Sequence, residues 1–332
     1  MTEGVIPVGS SRRTVSLVLV ALVATAVAGG CSRKSDSSAS KKTFTVGYAV
    51  PSTTRPSFLV VMNQAFKDEA AKLGMKTEIL DGDWDDTKQA ANVEALVAKK
   101  VDLIVVCSSS PTAVVEATKK AKQAGIPVIA LNAQLAPEAD VITYVGASDF
   151  QFGQGAGNLL IQALPNGGKT AVILGPPGDS AVVKRMDGIK DALKTHPNIE
   201  IVDTPTDHFD SKENLTATQT LLGKFAEGKL DAVVAMGPQM SAGAEQARKD
   251  GREDVMFIAG DYSKQVETAI KSGALYGTVN QSPILEGKLG ADYAYYWLTG
   301  EKSKVPQPNA YIPLPLITKD NVATNPAEWS AG

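Results

Sequence analysis

From Thr43 to Asn280 the chain alternates short β-branched runs with amphipathic windows. Strand-like "TFTVGYA", "MKTEIL", "DLIVV" and "IPVIAL" are separated by helical windows at 57–73, 86–99 and 111–124. After residue 165 the scheme repeats, with "GGKTAVIL", "IEIV", "LDAVVAM", "VMFIAG" and "LYGTVN" between windows at 180–195, 211–226, 239–250 and 263–272. Strands that alternate with helices predict parallel pairing through helical crossovers. The count implies an α/β protein of two lobes, each a doubly wound parallel sheet. In the middle, "DVITYVGASDFQFGQGAGNLL" carries a strand into Asp149 and on into a helix of small residues, a natural crossing between lobes. Its glycines at 153, 155 and 157 miss the G-x-G-x-x-G spacing of a dinucleotide site and predict close helix–sheet packing instead.

Open α/β sheets bind ligands in the crevice beyond the carboxyl ends of their strands. The loops to inspect are therefore 50–58, 81–86, 107–111, 132–134, 175–180, 206–211, 236–240, 260–263 and 280–283.

Ahead of the first strand, Arg12 and Arg13 precede an uncharged run of 17 residues, 14–30, ending in "VAGG" before Cys31. A basic start, a short apolar stretch and small residues before a cut make a secretory signal. A transmembrane anchor is the alternative, although 17 residues sit at the lower limit of the roughly 17–25 that span a bilayer. "AGGC" resembles a bacterial lipobox, in which cleavage leaves the cysteine to receive lipid. Cys31 is then a lipid anchor, residues 1–30 the signal and 31–43 a flexible tether, because "SRKSDSSASKK" is too polar to bury a core.

Loss of residues 1–30 removes Glu3, Arg12 and Arg13, taking 33 basic and 36 acidic residues to 31 and 35. That slightly acidic balance gives nucleic acid no basic footprint. The about 290 residues after the tether suffice for two lobes. Cys107, at the end of an apolar strand, reads as a core residue and not as half of a disulfide framework.

Reaction centres are hard to assemble from this chain. "GPPGDSAVVKR" lacks the spacing and lysine of a phosphate loop. "DGDWDDTKQAANVE" has carboxylates at calcium-loop positions 1, 3 and 5, but Asp86 stands where glycine is required and Asn92 where glutamate is. A solvated turn with an Asp helix cap fits it better. A triad needs histidine, and the chain has two, His196 and His208, both in polar turns. His208 has Asp207 and Asp210 nearby but no second nitrogen or sulfur ligand, so no metal site is assigned. No enzyme activity, cofactor or catalytic residue is expected.

What remains suits a polyhydroxylated small molecule. Sugar C–H faces stack on aromatic rings, and hydroxyl pairs need donors and acceptors, best supplied by charged groups. Phe58, Arg185, Phe209, Asp261 and Gln281 provide these types, mostly on strand-exit loops.

With these residues and "PSFLVVMNQAFKDEAAKLGMKTEILD", "IPVIALN", "VGASD", "KRMDGIKDAL", "LDAVVAMGPQMSAGA", "VMFIAGD" and "GTVNQSPILEGKLG", the chain resembles, from about residue 44 to 318, periplasmic sugar-binding proteins of the ribose-binding type. The resemblance implies a type I periplasmic binding protein: two lobes on a three-strand hinge, with 44–148 plus 282–312 as the N-terminal lobe and 149–281 plus 313–332 as the C-terminal lobe. It also implies that Phe58 and Phe209 face the sugar, Arg185 grips its oxygens, Asp261 accepts from hydroxyls and Gln281 sits near the hinge. Where such binders carry Asp-Arg, this chain has Asn132-Ala133; Leu59 replaces an aromatic, and Gly237-Pro238 an Asn-Asp pair. Asn132 stays among the expected site residues, and a sugar alcohol or other pentose becomes as open as ribose.

The implied role is a lipid-anchored extracytoplasmic receptor, monomeric, that closes on a sugar or polyol and delivers it to ABC permease subunits. A sensory protein reporting to a membrane receptor is the alternative. Arg185 and Asp261 are expected to form the charged pair reading the ligand, both near solvent when the lobes are open. A Cys31→Ser protein should leave the membrane fraction on cell fractionation; retention of the membrane-bound form would make residues 14–30 an anchor.

Overall fold

The structure, a computed structural model, describes residues 42–331. The expected signal and lipidated Cys31 lie outside the described residues, as does most of the tether.

The first lobe is built from β1 (Thr45–Val50), α1 (Ser57–Lys72), β2 (Lys76–Asp81), α2 (Asp86–Ala98), β3 (Leu103–Val106), α3 (Val115–Gln123), β4 (Val128–Leu131) and β5 (Tyr144–Gly146). The second runs through α4 (Asp149–Ala163), β6 (Gly168–Ile173), α5 (Ser180–Leu193), β7 (Ile199–Asp203), α6 (Ser211–Lys224), β8 (Ala232–Ala235), α7 (Met240–Lys249), β9 (Met256–Gly260), α8 (Lys264–Ser272) and β10 (Gly277–Val279). Then α9 (Pro283–Leu298) packs on α1, and β11 (Asn309–Tyr311) and β12 (Leu316–Thr318) end the sheets. The strand orders are β2-β1-β3-β4-β5-β11 and β7-β6-β8-β9-β10-β12. The lobes thus repeat one topology, with the order reversing between the first and third strands of each, where a ligand crevice opens.

Pairing is parallel throughout the first sheet, but β12 runs antiparallel to β10. Helices cover both faces of each sheet, so central strands such as "LIVV" and "AVVA" are buried at every position. The chain passes between the sheets at 147–148, 280–282 and 312–315. Backbone bonds from Ile312 to the Gly146 carbonyl (3.0 Å) and from Asn280 to that of Pro315 (2.9 Å) tie these crossings to their neighbours.

Strand-exit loops end in the caps their helices require. Asp85, Ser148, Asp179, Asp210, Ser263 and Ser282 each accept a hydrogen bond from a first-turn amide. Asp85 therefore has the capping role expected of the "DGDWDD" turn.

The glycines of α4 divide their work. Gly155 faces Val279 and Leu316 of the sheet, as expected, whereas Gly153 and Gly157 face α5. A Cβ on Gly153 would lie 1.9 Å from the Arg185 carbonyl oxygen, so glycine is what lets the two helices meet. Gly153→Ala should destabilise the protein by about 1–3 kcal/mol, the usual cost of overpacking. Denaturant unfolding would read this as a lower midpoint with an unchanged slope.

Candidate functional site: a polar cleft between the lobes

All nine strand-exit loops contribute to one cleft of about 120 Å³ between the lobes. An engineered cavity of about 150 Å³ holds one benzene, so the space suits a single ring or a short chain. The six expected residues, Phe58, Asn132, Arg185, Phe209, Asp261 and Gln281, all line it.

Arg185, on α5, is buried. Its Nε donates to Asp149 Oδ1 (3.0 Å), Nη1 to the Met236 carbonyl (2.9 Å) and Nη2 to Gln281 Oε1 (2.8 Å). Its guanidinium also lies 3.9 Å from the Phe152 ring centroid. Gln281 then donates through Nε2 to Glu286 Oε1 (2.8 Å), and Glu286 Oε2 accepts from Asn132 Nδ2 (2.9 Å). A continuous relay thus runs from Asp149 and Arg185 in the second lobe, through Gln281 at a crossing, to Glu286 and Asn132 in the first.

Arg185 takes its ion pair from Asp149 and not from Asp261, because the α4–α5 contact at Gly153 brings Asp149 alongside it. Both charges are buried in this structure, Arg185 7% and Asp261 6% exposed.

Asp261 and Asn132 each come directly after the fourth strand of their lobe and hold left-handed backbones, with φ of 55° and 65°. Asp and Asn tolerate that region better than other side chains with a Cβ. The Thr278 hydroxyl pins the Asp261 carbonyl at 2.5 Å, while Asp261 Oδ1 is buried without a partner. Burial lifts the Asp261 carboxyl to about 7, against the opposing pull of Arg185. Burial likewise lifts Glu286 to about 8, although hydrogen bonds from Asn132 and Gln281 favour its ionised form.

Phe209 is held from several sides. Its amide donates to Asp207 Oδ1 (2.8 Å), its carbonyl accepts from Gln239 Nε2 (2.8 Å), and its ring occupies the space a Cβ on Gly175 would fill. Asp207 also accepts from Asn214 Nδ2 and Asp210 caps α6, while His208 faces Glu213. These carboxylates therefore shape the aromatic loop. Phe58 stands on α1 with its ring 6.0 Å from that of Trp329, in an edge-on contact with the chain's final segment.

Sequence reasoning passes over Asp149, Asp179, Glu286 and Trp84 as site residues, although Trp84 lies in the strand-exit loop 81–86. Cys107, expected as core, is buried but also lines the cleft, within 3.9 Å of Asn132 Oδ1. Burial pushes its thiol well up, which keeps it protonated and unreactive.

The topology and cleft define a two-lobed solute receptor, and comparison with known proteins agrees. Residues 46–302 match the model of the Periplasmic binding protein domain. The ribose import binding protein of Bacillus subtilis (strain 168) is 31% identical over 286 residues, covering 86% of this chain and 91% of that one. The xylitol-binding protein of Mycolicibacterium smegmatis is 30% identical over 239 residues, 72% of this chain and 67% of that one. Among solved structures, an ABC transporter solute binding protein from Bacillus halodurans C-125 with bound myo-inositol superposes with a TM-score of 0.77 at 28% identity, covering 85% of this chain and 96% of that one. The chain belongs to the periplasmic binding protein family, as a ribose-type member of the sugar-binding solute receptors of ABC transporters. Family membership implies an extracytoplasmic location, and its relatives are transport proteins.

The relay has a pH signature. Glu286 binds its proton more tightly folded than unfolded, so between its ordinary value of 4.5 and about 8 the native state carries the extra proton. Stability is then greatest at the acid end of that window and falls as pH rises, by up to about 1.4 kcal/mol per unit for a fully linked group. Asp261 contributes with the same sign up to about 7. The melting temperature of the ligand-free protein should fall from about pH 5 to pH 8, and Glu286→Gln should flatten that slope; an equal slope in the variant would place the ionisation elsewhere.

Proposed function

We propose that this protein captures a small neutral polyol, a single-ring sugar or a linear sugar alcohol, by closure of its lobes and delivers it to the permease of an ABC importer. The observation that carries this reading is the cleft itself: aromatic surfaces on both lobes, a buried unpaired acceptor at Asp261, and room for about one monosaccharide. A hydroxyl donating to Asp261 Oδ1 would satisfy an atom otherwise left unpaired in the interior. Phe58, Asn132, Arg185, Phe209 and Gln281 complete the proposed ligand set. The hinge is the set of three crossings, with 44–148 plus 282–312 moving against 149–281 plus 313–332. Closure would desolvate the site and present a joined surface to the transporter. The protein acts as a monomer, held at the membrane by lipid on Cys31. Relatives named for ribose import, xylitol binding and bound myo-inositol support the ligand class. Reporting the same ligand to a membrane receptor is the second reading, favoured only where no permease responds.

A thermal-shift screen of D-ribose, xylitol, myo-inositol and other pentoses, hexoses and polyols tests this, since a ligand bound only by the folded state raises the melting temperature. No shift across the panel would overturn it. For a compound that binds, Asp261→Asn should weaken affinity roughly ten- to a hundredfold, the equivalent of about 1.5–3 kcal/mol, without lowering the ligand-free melting temperature. Arg185→Ala should behave differently. It strands Asp149 in the interior and should destabilise the fold by about 3–5 kcal/mol.

A further inference from the structure

The two lobes treat their second strand-to-helix loop alike. In the second lobe, β7 leads through His208 and Phe209, both left-handed with φ of 48° and 59°, to Asp210, the cap of α6. In the first, β2 leads through Asp83 and Trp84, both left-handed with φ of 52° and 57°, to Asp85, the cap of α2. Each loop therefore presents an aromatic residue just before an Asp cap, and both rings line the same cleft.

A bulky residue in the left-handed region is an outlier. Residues so held persist where their surroundings over-determine them, and they gather at ligand clamps. The surroundings of Trp84 do over-determine it. Its amide donates to the Pro51 carbonyl (2.9 Å), and Asp81 accepts from the Asp83 amide (2.7 Å) and from the amide (2.8 Å) and hydroxyl (2.5 Å) of Thr53. Those bonds lock the Trp84 loop to the segment that leads into Phe58. Yet Trp84, so fixed, is 38% exposed, a large apolar residue left partly open to the cleft it lines.

We infer that Trp84 is a ligand-contacting residue, the first-lobe counterpart of Phe209, whose indole covers a C–H face of the bound polyol when the lobes close. This rests on the reading of the cleft as a polyol site. Trp84 would discriminate among polyols by the apolar face they present, a selectivity that hydrogen bonds to hydroxyls alone do not supply.

Calorimetry with D-ribose, xylitol and myo-inositol on the full-length protein, Trp84→Leu and Trp84→Phe tests this. For each probe the wild type binds, Trp84→Leu should weaken affinity at least tenfold and Trp84→Phe should recover most of it, with ligand-free melting temperatures within a few degrees of wild type. The fluorescence lost in Trp84→Phe relative to wild type should also be shielded from acrylamide by saturating probe. A wild type that binds none of the three and shows no shift with any other compound of the thermal-shift panel overturns the polyol reading, and Trp84 with it; where only another panel compound binds, that compound serves as the probe. Binding by the wild type with affinity unchanged in Trp84→Leu, or a Trp84 emission equally quenched with and without probe, overturns the assignment of Trp84 alone.

Discussion

Burying the Arg185 guanidinium obliges the structure around it to supply acceptors, because an unpaired interior charge costs several kcal/mol. Much of the architecture between the lobes answers that demand. Gly153 admits α5 close enough for Nε to reach Asp149; the Met236 carbonyl, at the exit of β8, takes Nη1; Gln281, at a crossing, takes Nη2. Because Gln281 then spends its own amide protons on Glu286 of α9, the demand is passed into the other lobe. A polar chain that is nearly complete within the protein also fixes which groups remain for a ligand. Arg185 has committed three of its donors, whereas Asp261 Oδ1 and Gln239 Oε1 are buried acceptors still without partners.

The repeated lobe explains why particular residue types stand where they do. The residue leaving the fourth strand must take a left-handed backbone in both lobes, and Asn132 and Asp261 fill it. An amide in one lobe and a carboxylate in the other keep the same backbone turn while offering opposite chemistry. Asn132 donates to Glu286, and Asp261 can only accept until it is protonated. Divergence at such a position alters recognition without disturbing the sheet.

The fold and the rim of the cleft are legible in the sequence for one reason. Strands of a doubly wound sheet are buried on both faces, so their apolar runs stand out, and the residues after each run must lie at the carboxyl edge. The interior of the site is not legible, because it depends on which side chains tertiary packing seals from water. Glu286 sits in the first turn of α9, where a carboxylate usually means favourable interaction with the helix dipole at an exposed end; in the structure it is fully buried. Asp149 has the sequence context of a lobe crossing and is also the counter-ion of Arg185. Trp84 lies in a stretch whose pattern is that of a solvated, capped turn, which it is, but its ring faces the cleft. The pairing of both aromatic loops emerges only when the two sheets are seen to share an order.

The charge balance of the cleft bears on what the proposed ligand can be. Asp149, Asp179 and Asp261 line the cleft beside a single guanidinium, with Glu286 buried behind Asn132 and Gln281, and Ala133 stands where the family resemblance places another. Asp149 is neutralised by its ion pair. Asp261 and Glu286 hold protons to about pH 7 and 8, and burial raises Asp179 as well, so protons do part of the work a second arginine would do. A protonated carboxyl gains a donor and keeps acceptor capacity, the combination that pairs with hydroxyl groups. An anionic ligand would have to enter beside these acids, and Arg185, the one cation among the described residues that line the cleft, is already engaged. Neutral polyols carry no such electrostatic cost, and the same buried carboxyls that weaken the fold as pH rises are what make the interior suitable for them.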